Sequence, residues 1–279
     1  MQRTVSSSAS FKSWAALLVF GAATGMAQAQ ITLTNPGGSS GAGTFLNNFA
    51  GAATSTTSTT WTGRLGLSAN GGATFQAYCI DPSTTVGFPS GSVYTSASLS
   101  SFFSSALGYQ GQMQSAGYTA AMAAGGYGYQ SNHAVVQSRI QNLYTYAYQD
   151  SLTSANNAAA FGYALWDIMG SSTSATLARG ATGLTSAGLT SAMNDGDLIS
   201  NRIDNLFSAL NTGTAAAWAG IGLGAATNYI YTVYYDPAPH ASQNFLSVTA
   251  AGVPEPGSLA LAGLGLLAAV SLRRRKTQA

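Results

Sequence analysis

WTGRLGLSANGGATFQAYCI, residues 61–80, reads as two strands folded back on a turn. Trp61 to Ala69 and Ala73 to Ile80 are the strand runs. Asn70-Gly71-Gly72 between them supplies residues that accept the positive φ of a tight hairpin. Upstream, Ile31-Thr32-Leu33-Thr34 alternates as an earlier strand. Thr54 to Thr60 is a Ser/Thr tract that fits either a solvated edge strand or a loop. From Ser96 to Leu210 the period lengthens to that of helices. Val136, Ile140, Leu143 and Ala147 fall on one helical face, and Ile199, Ile203, Leu206 and Leu210 fall on another. Asn156 to Ile168 is Ala-rich, with Asn156 or Asn157 placed to cap it, and Asp197 is placed to cap the third helix. Alternation returns in Asn228 to Asp236, stops at Pro237-Ala238-Pro239, and resumes in Gln243 to Thr249. Strands, a helical middle and strands again predict an α+β body whose first and last strands share a sheet.

The composition narrows what this body can do. Only 6% of the 279 residues are charged, against about 25% in ordinary globular domains. Between residues 30 and 253 there are four arginines (Arg64, Arg139, Arg179, Arg202) and seven aspartates (Asp81, Asp150, Asp167, Asp195, Asp197, Asp204, Asp236), a net charge of −3 with no Lys or Glu. A mildly acidic body offers no basic stripe for nucleic acid. The single cysteine, Cys79, cannot form an internal disulfide, so the fold rests on packing and hydrogen bonds.

The two ends read as addresses. Arg3 and Lys12 precede the apolar stretch Trp14 to Gly25, and Ala27-Gln28-Ala29 supplies the small residues that signal peptidase accepts before Gln30. Residues 1–29 are thus a signal peptide, with a helical apolar core, and 30–252 form the exported body. Residues 253–279 carry three parts in order. Val253-Pro254-Glu255-Pro256-Gly257 is an extended hinge. Leu259 to Leu272 is an apolar run that would make a helix of ~21 Å, a short transmembrane segment. Arg273-Arg274-Arg275-Lys276 is a basic cluster that stays cytoplasmic by the positive-inside rule.

This tail resembles the PEP-CTERM sorting signal. The resemblance implies that an exosortase, a membrane-embedded transpeptidase-like protease, recognises the tail and cleaves near the motif. It also implies export in a Gram-negative, exopolysaccharide-producing bacterium. The protein would be held briefly at the inner membrane and then delivered to the cell surface or the extracellular matrix.

A second resemblance lies inside the body. Tyr78-Cys79-Ile80-Asp81 and Ala164-Leu165-Trp166-Asp167-Ile168 resemble paired motifs of PEP-CTERM surface proteins, and both look like the thioester domains of Gram-positive adhesins. In those domains the cysteine bonds to a Gln four residues before the Trp. Here that position is Gly162, which has no side-chain carbonyl, so the resemblance implies the scaffold without the usual thioester. Cys79 then reads as a buried small hydrophobe, and Trp166 as a core anchor.

Other chemistry has weaker support. A Cys/His pair would need His133 or His240, and neither has a local motif around it. Asp81, Asp167 or Asp236 could act as carboxylates in hydrolysis only if two of them face each other. Asn194-Asp195-Gly196-Asp197 lacks the ligand spacing of a calcium loop and reads as a turn with a helix cap. Gly-Tyr pairs at 108, 117 and 126 recur every nine residues, which fits a Tyr-rich sugar-stacking surface or a Gly-permitted loop. The expected protein is non-enzymatic, has no cofactor or metal, and is associated with exopolysaccharide or biofilm. The alternatives are an adhesin-like module on a degenerate thioester scaffold and a secreted carboxylate-dependent hydrolase.

Overall fold

The computed structural model describes residues 30–36, 44–47, 58–80, 93–114, 128–170, 176–179, 196–237 and 242–252. The strands are β1 (Ile31–Thr34), β2 (Thr44–Asn47), β3 (Ser58–Trp61), β4 (Arg64–Ala69), β5 (Thr74–Cys79), β6 (Val93–Ser98), β7 (Tyr229–Tyr235) and β8 (Phe245–Ala250). The helices are α1 (Leu99–Ser104), α2 (Tyr109–Met113), α3 (His133–Ser151), α4 (Ala155–Gly170), α5 (Gly196–Thr212) and α6 (Ala215–Gly220). This is the α+β arrangement that the strand–helix–strand pattern predicts.

Six strands close into an antiparallel barrel in the order β1-β4-β5-β8-β7-β6, with β6 pairing back onto β1. The first and last strands therefore do share a sheet. The hairpin at Asn70-Gly71 joins β4 to β5, with Leu65 opposite Ala77 and Leu67 opposite Phe75. Asn70 (φ 52°) and Gly71 (φ 71°) both take the left-handed conformation that the turn requires. Side chains alternate across the wall. Leu33, Leu65, Leu67, Ala77, Tyr94 and Phe245 fill the barrel, while Tyr78, Val233, Tyr235 and Leu246 face the helices.

The helices pack on the outer wall. The faces read from periodicity are the buried ones: Val136, Ile140, Leu143 and Ala147 on α3, and Ile199, Ile203, Leu206 and Leu210 on α5. Helix α4 is buried from Ala158 through Gly170, as expected of a helix enclosed on all sides. Ala158, Ala159, Ala160, Gly162 and Ala164 keep it thin enough for α3 and α5 to close around it. Among the described residues no helix is long and apolar enough to cross a membrane. The Leu259–Leu272 run lies outside them.

Four local readings are corrected. The Trp61–Ala69 run is two strands, because Trp61 pairs with Thr44 in a separate two-stranded sheet before Thr62-Gly63 leads into β4. Of the two readings offered for the Ser/Thr tract, its end at Ser58–Thr60 takes the strand one, as part of β3, and its partner β2 carries too short a pattern to read. Strand β6 continues to Ser98, whose Oγ accepts the Ser101 N–H and caps α1, so helix begins at Leu99 and not at Ser96. On α4 the cap is Ser154, whose Oγ accepts from the Asn157 N–H at 3.1 Å. Asn156 and Asn157 already lie within the helix. Helix α5 begins at Gly196, one residue before Asp197.

Candidate functional site

Cys79 ends β5 at one end of the barrel, and α4 crosses that end. The Trp166 indole N–H donates to the Cys79 carbonyl at 2.8 Å, so the two motif segments meet. The contact is to the backbone. The indole, 1% exposed, ties the central helix to the strand end. The Cys79 thiol is itself buried, at 6% exposed.

Gly162 lies one helical turn before Trp166. A Cβ built on it would stand 2.4 Å from Thr62 Oγ1 and 3.4 Å from the Gly63 backbone nitrogen. The space that a side chain at 162 would need is taken by the link between β3 and β4. Thr62, 1% exposed, also aims its hydroxyl at the Ala159 carbonyl, over a long 3.4 Å. Glycine at 162 is thus a packing requirement as well as the loss of a carboxamide. A Gln side chain at this position would have to displace the Thr62 hydroxyl.

Asp167 is fully buried. Burial lowers the pKa of the Arg139 guanidinium, and the charge of Asp167 opposes that fall. The carboxylate that follows the Trp therefore works against a cation on α3, a helix-to-helix tie. Asp236, 8% exposed, lies just past β7. Its carbonyl accepts Gln112 Nε2 at 2.8 Å, and its N–H donates to Asn244 Oδ1 at 3.1 Å. Asn244 Nδ2 in turn donates to Gln112 Oε1 at 3.1 Å. This network fastens α2 to the loop between β7 and β8. Beside it, Tyr94 is pushed up to about 12, mainly by burial. The Ser242 hydroxyl opposes the shift, and Asp236 and Cys79 add to it.

The remaining candidates are dispersed. His133 heads α3 and shares a 2.9 Å hydrogen bond with the Tyr129 hydroxyl, among the rings of Phe103 and Tyr109. Tyr109, from the first Gly-Tyr pair, is buried, and its hydroxyl donates to the Met169 carbonyl at 2.6 Å. That residue is core. Asp81, Asp195, His240, the Gly-Tyr pairs at 117 and 126, Ala27 and Ala29, and everything from Val253 onward lie outside the described residues. Among the described residues no group of three His, Cys, Asp or Glu side chains is placed to hold a metal.

Sequence reasoning missed Thr62, Arg139 and the Gln112–Asn244 network. The Thr62 contact with α4 spans 97 positions, and no short-range pattern signals it. Arg139 carried a signal, as an arginine within an otherwise amphipathic helix.

The PEP-CTERM protein-sorting motif matches residues 252–276. No curated protein matches the chain. Among solved structures, the N-terminal domain of the Streptococcus pyogenes pilus tip adhesin Cpa is 13% identical, with a TM-score of 0.43 over 78% of this chain and 100% of that one. The N-terminal thioester domain of the fibronectin-binding protein SfbI from Streptococcus pyogenes is 14% identical, with a TM-score of 0.34 over 67% of this chain and 85% of that one. Neither superposition is close enough to carry an argument. The sorting motif does carry one: it marks an exported, surface-targeted protein processed by an exosortase.

Proposed function

We propose that the body is a non-enzymatic surface or matrix module, delivered by exosortase processing of its tail and retained with exopolysaccharide. The observation that carries this reading is the sorting motif, which begins at residue 252, directly after the last barrel strand. The signal peptide brings the chain across the inner membrane, where signal peptidase cuts before Gln30. The apolar run and Arg273 to Lys276 then hold the tail until exosortase releases or transfers the body. A low-charge surface carrying hydroxyls and amides suits contact with neutral sugar polymers, which bind through hydrogen bonds and ring stacking and not through ion pairs.

The buried chemistry supports a structural role for the Cys79 region. The thiol is enclosed, Trp166 is spent on a backbone carbonyl, and Thr62 fills the position where a thioester partner would stand. An adhesin-like scaffold without covalent capture is the second reading, favoured by the Trp166–Cys79 tie.

The test is expression of the full chain with and without an exosortase. With the enzyme, the recovered body should have a C-terminus near Pro254 and fractionate outside the inner membrane. Without it, the tail should remain and the protein should stay with the membrane. Changing Arg273, Arg274 and Arg275 together to Ser should mimic loss of the enzyme. Identical size and fractionation in all three cases would remove the sorting mechanism. Purified body that cleaves polysaccharide would refute the non-enzymatic assignment.

A further inference from the structure

The barrel has two chemically different ends, and the strand register assigns both chain exits to one of them. Strand β8 finishes at Ala250 opposite Tyr229, and the Ala251 N–H donates to the Asn228 carbonyl at 2.9 Å. Extending the Ala77–Ser247 register places Thr74 beside Ala250. Thr74 follows the Asn70–Gly72 turn, so the turn lies at the β8 exit. Strand β1 starts at the same turn: the Thr32 N–H donates to Asn70 Oδ1 at 2.8 Å, and the Asn70 N–H donates to the Thr32 carbonyl at 2.9 Å. The opposite end carries Cys79, Asp236, Asn244 and the Trp166 contact.

We propose that the end bearing both exits is the membrane-facing surface of the anchored protein, and that the Cys79–Trp166 end points away from the cell. This inference rests on the tail-anchor reading above. Eight residues, 251–258, separate the end of β8 from the apolar run that begins at Leu259, a reach of at most about 28 Å at ~3.5 Å per residue. The barrel wall is itself ~20 Å long, at ~3.3 Å per residue along its six- and seven-residue strands before tilt. The exit end reaches the headgroups directly on such a tether, whereas seating the opposite end there would take most of its reach, doubled back along the wall. The chemistry of the exit end fits such a neighbour. Asn70, Gly71, Ala73, Asn228, Ile230 and Thr249 are all exposed there, and none is charged. These six described residues place no carboxylate against anionic lipid. They offer amides and a hydroxyl for headgroup hydrogen bonds and one large exposed apolar side chain, Ile230 at 59% exposed. The carboxylate of Asp236 lies at the far end.

The experiment uses the full chain, reconstituted by its tail into vesicles of phosphatidylethanolamine and phosphatidylglycerol that contain a lipid spin-labelled at the headgroup. An environment-sensitive fluorophore is attached in separate samples to Ala73→Cys at the exit end and to Pro237→Cys at the other. The unsubstituted chain serves as the blank for Cys79. Thr249→Cys is a second exit-end probe should Ala73→Cys fail to fold. Most of the emission should be lost from the exit-end label and little from the label at 237. Equal loss at both positions, or greater loss at 237, would overturn the orientation. Flotation of the same samples separates the two claims. Protein that floats with the vesicles but shows no difference sinks only the orientation. Protein that does not float sinks the tail-anchor reading, and the orientation with it.

Discussion

The inside of the barrel and the layer between barrel and helices are both buried, yet they are built from different material. The barrel interior is mostly aliphatic, with Leu33, Leu65, Leu67 and Ala77 around Tyr94 and Phe245. The helical layer is crowded with rings. Tyr78 packs on Phe161 at 4.5 Å between ring centroids and on Tyr144 at 6.5 Å, and Tyr146 stacks on Trp218 at 5.2 Å. Each buried phenol also needs a partner. The Tyr78 hydroxyl donates to Ser151 Oγ at 2.8 Å, and the Ser151 hydroxyl passes on to the Tyr148 carbonyl at 2.6 Å. A chain with almost no charge has thus divided its burial into a directionless part and a part held by oriented hydroxyls. The second part should be the more sensitive to chemistry.

The largest expected effect is alkaline. Burial raises the pKa of Tyr78, Tyr109 and Tyr144, and it pushes Tyr231 up to about 12. All four belong to the helical layer. The barrel interior contributes Tyr94, also pushed up to about 12, mainly by burial. In each case the folded state keeps a proton that the unfolded chain releases near pH 10. Their contribution is whole below about pH 10 and is lost as pH rises through the folded values. Tyrosinate absorbance followed beside circular dichroism should therefore show ionisation and unfolding together, above pH 10. Full ionisation with the dichroism intact would contradict the layer's dependence on neutral phenols.

Next in size is a pair of truncations. Trp166→Ala should cost about 3–5 kcal/mol in urea unfolding, as a large cavity and a lost hydrogen bond. Leu67→Ala inside the barrel should cost about 2–5 kcal/mol through its cavity alone. The contrast lies in Trp166→Phe, which keeps most of the volume but deletes the N–H that reaches the Cys79 carbonyl. It should still cost about 1–3 kcal/mol, and a loss near zero would make the indole contact incidental.

Gly162→Ala should destabilise by about 1–3 kcal/mol through overpacking against Thr62. Thr62→Ala in the same chain should recover most of the loss, because Ala is the better helix former by up to ~1 kcal/mol. Additive effects in this double-mutant cycle would mean that the two residues do not meet.

The smallest effect is that of Tyr78→Phe. Removing one hydroxyl from a satisfied pair should cost about 0.5–1.5 kcal/mol. It should leave the ring contact with Phe161 in place, as near-ultraviolet dichroism would report.

The legible parts of this fold are those in which the two faces meet different surroundings. In β7, Tyr229, Tyr231, Val233 and Tyr235 face the helices, while Thr232 and Tyr234 turn inward beside β8 residues 247 and 245. That alternation can be read directly. The i, i+4, i+7, i+11 faces of α3 and α5 are legible for the same reason. Helix α4 has no wet face over Ala158–Gly170, so its Ala-rich composition revealed a helix but not its central place. Barrel closure depends on β1 meeting β6 more than sixty positions away, with only Ile31 opposite Tyr94 and Thr32 opposite Val93. At the candidate site, the pairing of Cys79 with Trp166 was legible as motif. That the indole takes the carbonyl and not the thiol depends on how α4 crosses the strand end, which no spacing encodes.

The ring order β1-β4-β5-β8-β7-β6 has a consequence for the order of events during secretion. The stretch bridging β5 to β7 is β8, residues 245–250, and it is among the last of the body to leave an export channel that passes the chain amino end first. Until it emerges, the wall has a gap one strand wide, with unpaired amide edges on β5 and β7 and the interior leucines open to water. Such edges are templates for misassembly. Pairing between strands so distant in sequence is also slow, because loop closure must precede the contacts that reward it. The sorting tail follows β8 at once. If that tail is arrested in the membrane, as proposed above, each newly emerged chain is held apart from its neighbours during the interval in which the gap is sealed.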